Sequence, residues 1–159
     1  MSDNKIEIFK EITIGNLSKD ELLQRLKDSD IQFNKYANML FSHSQFIPPL
    51  ELKKFKLIKT SLHKLGLEDS CSFEEFTNRI LIKGFKFCPL YLAAFLRLEY
   101  LDQPEGPYLT IASEMPESDM SYPNGFYIRK NDGILWLRGY QADSFEGWPE
   151  DNEFIFALK

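Results

Sequence analysis

The most apolar continuous stretch of the chain, residues 88–106, constrains the fold most strongly. It begins Cys-Pro-Leu-Tyr-Leu-Ala-Ala-Phe-Leu and ends Asp-Gln-Pro-Glu-Gly. Pro89 suits the first turn of a helix, where its missing N–H costs nothing, and Pro104 and Gly106 favour a helix end. Apolar residues surround the predicted helix on nearly every side, which is typical of a helix buried in a core. The stretch is too short, and too charged at its end, to cross a bilayer.

Four polar residues emerge at the end of this predicted helix: Arg97, Glu99, Asp102 and Gln103. The favoured interpretation is a solvated helix end with a local pair between the arginine and a carboxylate. The alternative is a polar cluster beside a pocket, in which Arg97, Glu99 and Asp102 would serve a small enzyme. Structural ion pairs also cluster in this way, so the pattern alone does not establish an active site.

Upstream of residue 88 the chain is predicted to be mainly helical. A strand over residues 6–14, interrupted near Lys10, comes first. Capping boxes, in which a serine and a glutamate three residues later satisfy each other's backbone N–H groups, predict helices that begin at Ser18 and Ser72. A further helix is predicted over residues 34–42. Residues 50–65 fit either a helix or a strand, and we favour a short strand near 55–60 followed by one helical turn ended by Gly66.

Downstream the pattern changes to short strands, with the clearest signal at Asn131-Asp132-Gly133. Residues 126–130 and 134–140 flank this turn and alternate as the two strands of a hairpin. A two-residue turn at Asp132-Gly133 would place Ile128 opposite Leu137, whereas a three-residue turn with a bulge would shift the pairing. We favour the two-residue turn because it separates apolar from polar faces more cleanly. A last strand over 154–157 is apolar on both sides, which predicts a place inside the sheet.

These patterns predict one α+β domain over residues 1–159. A helical N-terminal half, with residues 1–106 mainly helical, would pack on an antiparallel β-sheet drawn mainly from the C-terminal half, where residues 107–159 form a β-meander. The chain has 159 residues and is 43% hydrophobic, which is enough for one proper core.

Charge is unevenly distributed along the chain, whose formal net charge is −5. Residues 1–50 carry −1, residues 51–97 carry +4 and residues 98–159 carry −8. The acidic C-terminal part disfavours nucleic acid, because phosphate contacts need a positive surface. The basic segment 53–64 keeps a nucleic-acid binder as an alternative function. The N-terminus lacks an apolar targeting segment, and a cytoplasmic protein that does not bind a membrane is expected.

Several chemistries lack their sequence signals. No glycine-rich phosphate loop and no G-x-S-x-G nucleophile elbow occurs in the sequence. The two histidines and two cysteines lack metal-ligand spacing, so no metal and no cofactor is predicted. Cys88 is interpreted as a buried core thiol rather than a nucleophile, and both cysteines are expected to be reduced.

The hairpin carries the most informative candidate site. In the favoured pairing Tyr127, Arg129, Trp136 and Arg138 share its outer face, and Trp148 follows in the next loop. Arginine beside tryptophan on adjacent strands permits stacking, and these residue types are enriched where interfaces bind tightly. Burial beneath helices is the competing interpretation. We therefore expect a non-enzymatic binding module that recognises a protein or a small ligand.

The order of several motifs resembles a group of small, uncharacterised bacterial proteins. The motifs are Ile-Gly-Asn-Leu-Ser-Lys-Asp-Glu-Leu near the start, Cys-Pro and then Leu-Arg-Leu-Glu-Tyr-Leu-Asp-Gln-Pro-Glu in the middle, and Leu-Trp-Leu with Phe-Ile-Phe late in the chain. The resemblance covers nearly the whole chain. It implies no activity and assigns no role to any residue.

Overall fold

The structure is a computed structural model that describes residues 8–119, 121–142, 144–149 and 151–159, and these residues form four helices and eight strands. The helices are α1 (Lys19–Asp28), α2 (Lys35–Phe41), α3 (Phe73–Ile82) and α4 (Leu92–Glu99). The strands are β1 (Ile8–Ile14), β2 (Gln32–Phe33), β3 (Lys53–Ser61), β4 (Phe85–Lys86), β5 (Leu109–Ile111), β6 (Gly125–Asn131), β7 (Ile134–Tyr140) and β8 (Glu153–Leu158).

All eight strands join one mixed sheet, so the predicted fold class was wrong. The sheet order is β1-β3-β8-β5-β6-β7-β2, with β4 also paired to β8. Two pairs, β2 with β7 and β5 with β8, run parallel, and the other pairs are antiparallel. Helices and strands alternate through residues 8–99, so no helical N-terminal half exists. The prediction failed because β2 and β4 have two residues each, too few to show a period of two.

The sheet separates two apolar cores. Helices α1, α2 and α4 pack on one face together with side chains such as Leu57, Ile128 and Ile155. Helix α3 packs on the other face against Phe154 and Phe156. Strand β8 lies between β3 and β5 and supplies alternate residues to the two cores, as its apolar pattern on both sides predicted.

Both predicted capping boxes are confirmed. Ser18 Oγ accepts a hydrogen bond from the Glu21 N–H at 3.1 Å, and the Glu21 carboxylate accepts one from the Ser18 N–H at 2.9 Å. Ser72 and Glu75 repeat the arrangement, with both bonds at 3.0 Å. Such caps satisfy donors that the first helical turn leaves free, and they fix where α1 and α3 begin.

The segment 50–65, whose pattern fitted either a helix or a strand, contains a strand in the structure. Residues 53–61 form β3, which is longer than the predicted strand, and a turn after it ends at Gly66 with φ +76°. Strand β1 has the predicted irregularity, since its pairing with β3 shifts between Ile8 and Lys10. Ile6, which the sequence placed in this strand, lies outside the described residues. Helix α4 begins at Leu92, later than Pro89 suggested.

Asn34 closes the outer edge of β7 at the point where α2 begins. Its Oδ1 accepts hydrogen bonds from the N–H groups of Ala37 and Gly139, both at 2.9 Å, and its Nδ2 donates to the Gly139 carbonyl at 2.9 Å. A Cβ on Gly139 would lie 2.7 Å from the carbonyl carbon of Tyr36, so the helix start sits directly against the strand. The Asn34 side chain thus caps the N-terminus of α2 and also makes the two backbone hydrogen bonds that a neighbouring strand would make with Gly139.

The described part of the chain contains no helix that is both long and apolar enough to cross a membrane.

Candidate functional site

The hairpin β6–β7 has the predicted pairing. Ile128 lies opposite Leu137, Tyr127 opposite Arg138, and Arg129 opposite Trp136. Both turn residues adopt left-handed backbone conformations, with φ +53° at Asp132 and +78° at Gly133, as a two-residue turn of this kind requires. Alternate side chains point to opposite faces of a strand, so the side chains of Ile128 and Leu137 enter the core under the helices and those of their neighbours lie on the other face.

The Arg/aromatic face, defined as Tyr127, Arg129, Trp136 and Arg138, therefore forms on one side of the hairpin. The Arg138 guanidinium carbon lies 4.9 Å from the centre of the Trp136 ring and 5.9 Å from the centre of the Tyr127 ring. These distances permit cation–π contacts with both rings. The Arg138 Nε is buried and has no hydrogen-bond partner among the described residues. The aromatic rings thus hold the guanidinium in place, and within the described part of the chain its terminal nitrogens donate no hydrogen bond.

The Arg/aromatic face is half-buried rather than part of a core. Each of its four side chains has intermediate exposure. Of the described helices, α3 is the one that packs on this side of the sheet, and it covers the region of β8 rather than the hairpin. Trp136 also lines a surface cleft of about 440 Å³, together with Gln32 and Ile134. The competing interpretation, in which helices bury these aromatic residues, does not hold.

The segment before β5 braces the hairpin. The Glu105 carboxylate accepts hydrogen bonds from the N–H groups of Asp132 and Gly133 at 2.9 and 2.7 Å. Arg129 Nε donates to the Gly106 carbonyl at 2.9 Å. Tyr108 packs its ring 5.0 Å from that of Tyr127, centre to centre, and so extends the Arg/aromatic face. Tyr108 was not predicted to join this face, because its place beside Tyr127 depends on the pairing of β5 with β6.

Trp148 does not join these four residues. Its ring stacks on Phe154 at 5.7 Å and lies 5.6 Å from Tyr140 and 5.4 Å from Phe145. These partners belong to, or border, the core beneath α3. Trp148 therefore packs near the opposite end of the hairpin from the turn, where it helps to fix the loop that leads into β8.

Arg97 is fully buried, so the predicted solvated pair with a carboxylate was wrong. One terminal nitrogen donates to Gln103 Oε1 at 2.7 Å and to the Trp136 carbonyl at 3.2 Å, and the other donates to the Tyr100 carbonyl at 2.5 Å. Gln103 in turn donates to the Ile128 carbonyl at 3.3 Å. Burial lowers the pKa of Arg97 to about 10, which still leaves the group charged at neutral pH. The pair joins α4 to the backbones of β6 and β7.

Glu99 and Asp102 are exposed, and neither pairs with Arg97 in the described part of the structure. The structure thus brings together two members of the predicted polar cluster, Arg97 and Gln103, and leaves the two carboxylates at the surface. An arginine whose terminal nitrogens already bind protein oxygens, with no carboxylate beside it, has no group in place for acid–base chemistry.

The basic segment 53–64 lies along β3 and the turn that follows it. Lys53, Lys54, Lys56 and Lys64 are exposed. Lys59 is held instead, since its ammonium lies 4.8 Å from the centre of the Phe9 ring and 3.9 Å from the Glu153 carboxylate. Lys54 and Lys56 lie on one face of β3 and Lys53 on the other. The Phe55 ring, on the same strand, lies against Lys86.

Cys71 and Cys88 are free and buried. Burial raises the pKa of the Cys88 thiol to about 12, so the thiolate that a nucleophile or a metal ligand needs is scarce at neutral pH. Within the described residues, no three acidic, histidine or cysteine side chains lie close enough to hold a metal ion.

A pocket that was not predicted from the sequence lies on the α3 side of the sheet. Aromatic rings from α3, β7 and β8 form part of its lining. No run of residues pointed to it, because its walls come from segments far apart in the chain. The Arg/aromatic face and this pocket are thus two candidate sites within the described residues. No protein-family model, no curated protein and no solved structure matches the chain in comparisons of sequence and fold.

Proposed function

We propose that the protein is a non-enzymatic binding module that recognises a carboxylate-rich segment of a partner protein through the Arg/aromatic face. The observation that carries this proposal is the Arg138 guanidinium, which lies over two aromatic rings on a part of the sheet that α3, the helix packed on this face, does not cover. Guanidinium groups bind carboxylates through parallel hydrogen bonds. Trp, Tyr and Arg are also the residues that most often dominate the energy of protein interfaces.

The charge distribution supports an acidic partner. Residues 98–159 contain four basic side chains, and three of them, Arg129, Lys130 and Arg138, lie on the hairpin. The other charges in this part of the chain are mostly acidic, so the two arginines of the Arg/aromatic face are cations within an acidic part of the sequence. Complementary charge speeds encounter and selects between partners, which favours a carboxylate-bearing segment over a basic one.

Trp136 supplies the apolar anchor in this proposal. It lines the open cleft of about 440 Å³ beside β2, so an apolar side chain of the partner can enter there while a carboxylate reaches Arg138. A central apolar anchor with a charged neighbour is the usual composition of an interface hot spot.

The two alternatives from the sequence have weaker support. A small enzyme that uses Arg97, Glu99 and Asp102 lacks a shared site, since the arginine is buried and the two carboxylates are exposed. A nucleic-acid binder that uses residues 53–64 has exposed lysines in its favour, but the whole chain carries a net charge of −5.

The proposal is tested by affinity capture from the native host with immobilised protein, read by quantitative mass spectrometry. We compare the wild type with Arg138→Gln and with Lys64→Gln, a control that removes the same charge at an exposed site in the basic segment. Each protein captured by the wild type is then purified and titrated at two salt concentrations. We expect Arg138→Gln to weaken binding by about tenfold or more, Lys64→Gln to leave it unchanged, and salt to weaken it.

Three results would count against the proposal. Arg138→Gln could hold its melting temperature and still bind every partner as the wild type does. The loss could instead fall on Lys64→Gln with nucleic acid in the captured material, which would favour the basic segment. A partner segment whose binding requires lysine rather than aspartate or glutamate would also exclude carboxylate recognition.

A further inference from the structure

The aromatic pocket is a second candidate site, separate from the Arg/aromatic face. It has a volume of about 190 Å³ and lies between α3 and the ends of β5, β6 and β7. Six of its twelve lining residues are aromatic: Phe73, Phe76, Phe87, Tyr140, Phe145 and Phe154. Cavities of about 150 Å³ with apolar walls can hold benzene, so this volume admits one aromatic ring with a small substituent.

The pocket contains one polar group whose partner is missing. Ser113 Oγ is buried and makes no hydrogen bond with the described residues. It packs over Gly125, where an added Cβ would lie 2.9 Å from the hydroxyl oxygen. Buried hydroxyl groups without partners are rare in folded proteins, because the lost hydrogen bond to water is not replaced. A ligand that offers a hydrogen-bonding group at this point would satisfy Ser113.

The other polar side chains of the wall are already occupied or carry no charge. Asn124 donates to the Ala142 carbonyl and accepts from the Ala142 N–H, both at 2.9 Å, and the Thr77 hydroxyl donates to the Phe73 carbonyl at 2.8 Å. Burial raises the pKa of Tyr140 above its usual value, so its hydroxyl stays neutral. Ser113 is distinguished from these residues because its hydroxyl is buried without a partner among the described residues.

The charge of the wall determines which ligands fit. The described residues that line the pocket include no lysine, arginine or histidine, and the one ionisable carboxylate among them, Glu114, is exposed. An anionic ligand would lose its hydration without gaining a cation in return. The aromatic wall and the neutral hydroxyl instead favour an uncharged ring.

We propose that this pocket binds a small, uncharged aromatic molecule that carries one hydrogen-bonding group, with the ring among the phenylalanines and that group on Ser113. The site has the composition of small-molecule pockets in general, which are mostly apolar with a few placed polar groups. It does not depend on the Arg/aromatic face or on the partner proposed for it.

The test measures dissociation constants for phenol, toluene and benzoate by NMR titration of ¹⁵N-labelled protein. Phenol and toluene differ by one hydroxyl in place of a methyl group, and benzoate adds a negative charge to a ring of the same size. The variants are Ser113→Ala and Ser44→Ala, a control at an exposed serine outside the pocket. We expect the wild type to prefer phenol over toluene by about fivefold, the worth of one ordinary hydrogen bond, and to bind benzoate most weakly.

Ser113→Ala should remove the preference for phenol and leave the affinity for toluene unchanged. The control variant Ser44→Ala should retain the preference for phenol. Because the readout is a ratio of two affinities in the same protein, a change in stability does not mimic it. The proposal is overturned if no ligand gives a saturable shift at the pocket residues, if Ser113→Ala keeps the preference, or if benzoate binds as tightly as phenol.

Discussion

Gly133 shows how a single backbone angle sets the geometry of the Arg/aromatic face. Its φ of +78° lies in the left-handed region, which side chains branched at Cβ adopt only with strain. A Cβ at this position would meet no atom within 4 Å, so steric contact with neighbours is not the constraint. The turn depends on glycine for its conformational freedom alone.

We expect Gly133→Val to lower the free energy of unfolding by about 1–3 kcal/mol, the usual cost of a residue held in a strained backbone region. Gly133→Asn is the matched control, because asparagine tolerates the left-handed conformation, and it should cost less than the valine. Urea denaturation of the three proteins measures both effects. Equal midpoints for valine and glycine would mean that the turn is not under this constraint.

At the scale of elements, the buried Arg97 joins α4 to the hairpin. Its terminal nitrogens hold carbonyl oxygens at Tyr100 and Trp136, and Gln103 extends the link to Ile128. Removal of the guanidinium would leave these buried oxygens without donors as well as a cavity. The hairpin that carries the Arg/aromatic face is therefore positioned from the opposite side of the sheet.

We expect Arg97→Ala to lower the free energy of unfolding by about 3 kcal/mol or more, the range found when one member of a buried polar network is removed. Arg97→Lys should be intermediate, because one ammonium cannot reach all three acceptors. Arg25→Ala, at an exposed arginine on α1, should stay within about 0.5 kcal/mol of the wild type. Denaturant midpoints provide the measurement, and similar values for Arg97→Ala and Arg25→Ala would contradict the structural role.

Helix starts and the hairpin turn were predicted correctly because they depend on residues that are close together in the sequence. The capping boxes at Ser18 and Ser72, the hairpin turn and the alternating pattern of β8 each depend on residues close together in the chain, and each is confirmed. The fold class was wrong because strand pairing such as β2 with β7 joins residues about a hundred positions apart. Arg97 was predicted at a solvated helix end but is buried. Its acceptor on Trp136 belongs to β7, which is distant in the sequence.

The candidate site could be predicted only in part. The four residues of the Arg/aromatic face follow from the register of one hairpin, which the sequence determines locally. Tyr108 and the aromatic pocket depend on how β5, α3 and the loop before β8 meet, and no short pattern encodes that meeting. Trp148 was predicted in the loop after the hairpin, but its packing against Tyr140, Phe145 and Phe154 could not be predicted, because alternation does not set the course of a loop.

For the whole molecule, buried groups that resist ionisation contribute to the dependence of stability on pH in alkaline solution. Burial raises the pKa of the Cys88 thiol from about 9 to about 12, so above pH 9 the unfolded chain releases a proton that the folded chain keeps. Stability therefore falls as pH rises through this range. Buried tyrosines such as Tyr140 act in the same direction at higher pH. Arg97 opposes them above about pH 10, because burial lowers its pKa.

We expect the Cys88 thiol alone to cost about 1.4 kcal/mol of stability between pH 8 and pH 10, since one pKa unit corresponds to about that free energy. In Cys88→Ala the free energy of unfolding should fall by about 1.4 kcal/mol less than in the wild type between pH 8 and pH 10. The comparison does not depend on the effect of the substitution at pH 8. Cys71→Ala is the control and should retain the contribution of Cys88. Urea denaturation at the two pH values gives the comparison, and parallel declines for Cys88→Ala and the wild type would exclude the thiol as a cause.

The two hydrogen bonds between the Asn34 side chain and the Gly139 backbone also affect how the molecule behaves at high concentration. An open strand edge offers N–H and C=O groups on which another chain can build, which leads to aggregation or strand exchange. Asn34 takes up one donor and one acceptor of β7 with a side chain that cannot itself continue a sheet. Its amide therefore removes one donor and one acceptor on which a second chain could extend the sheet, beside the strand that carries Trp136 and Arg138.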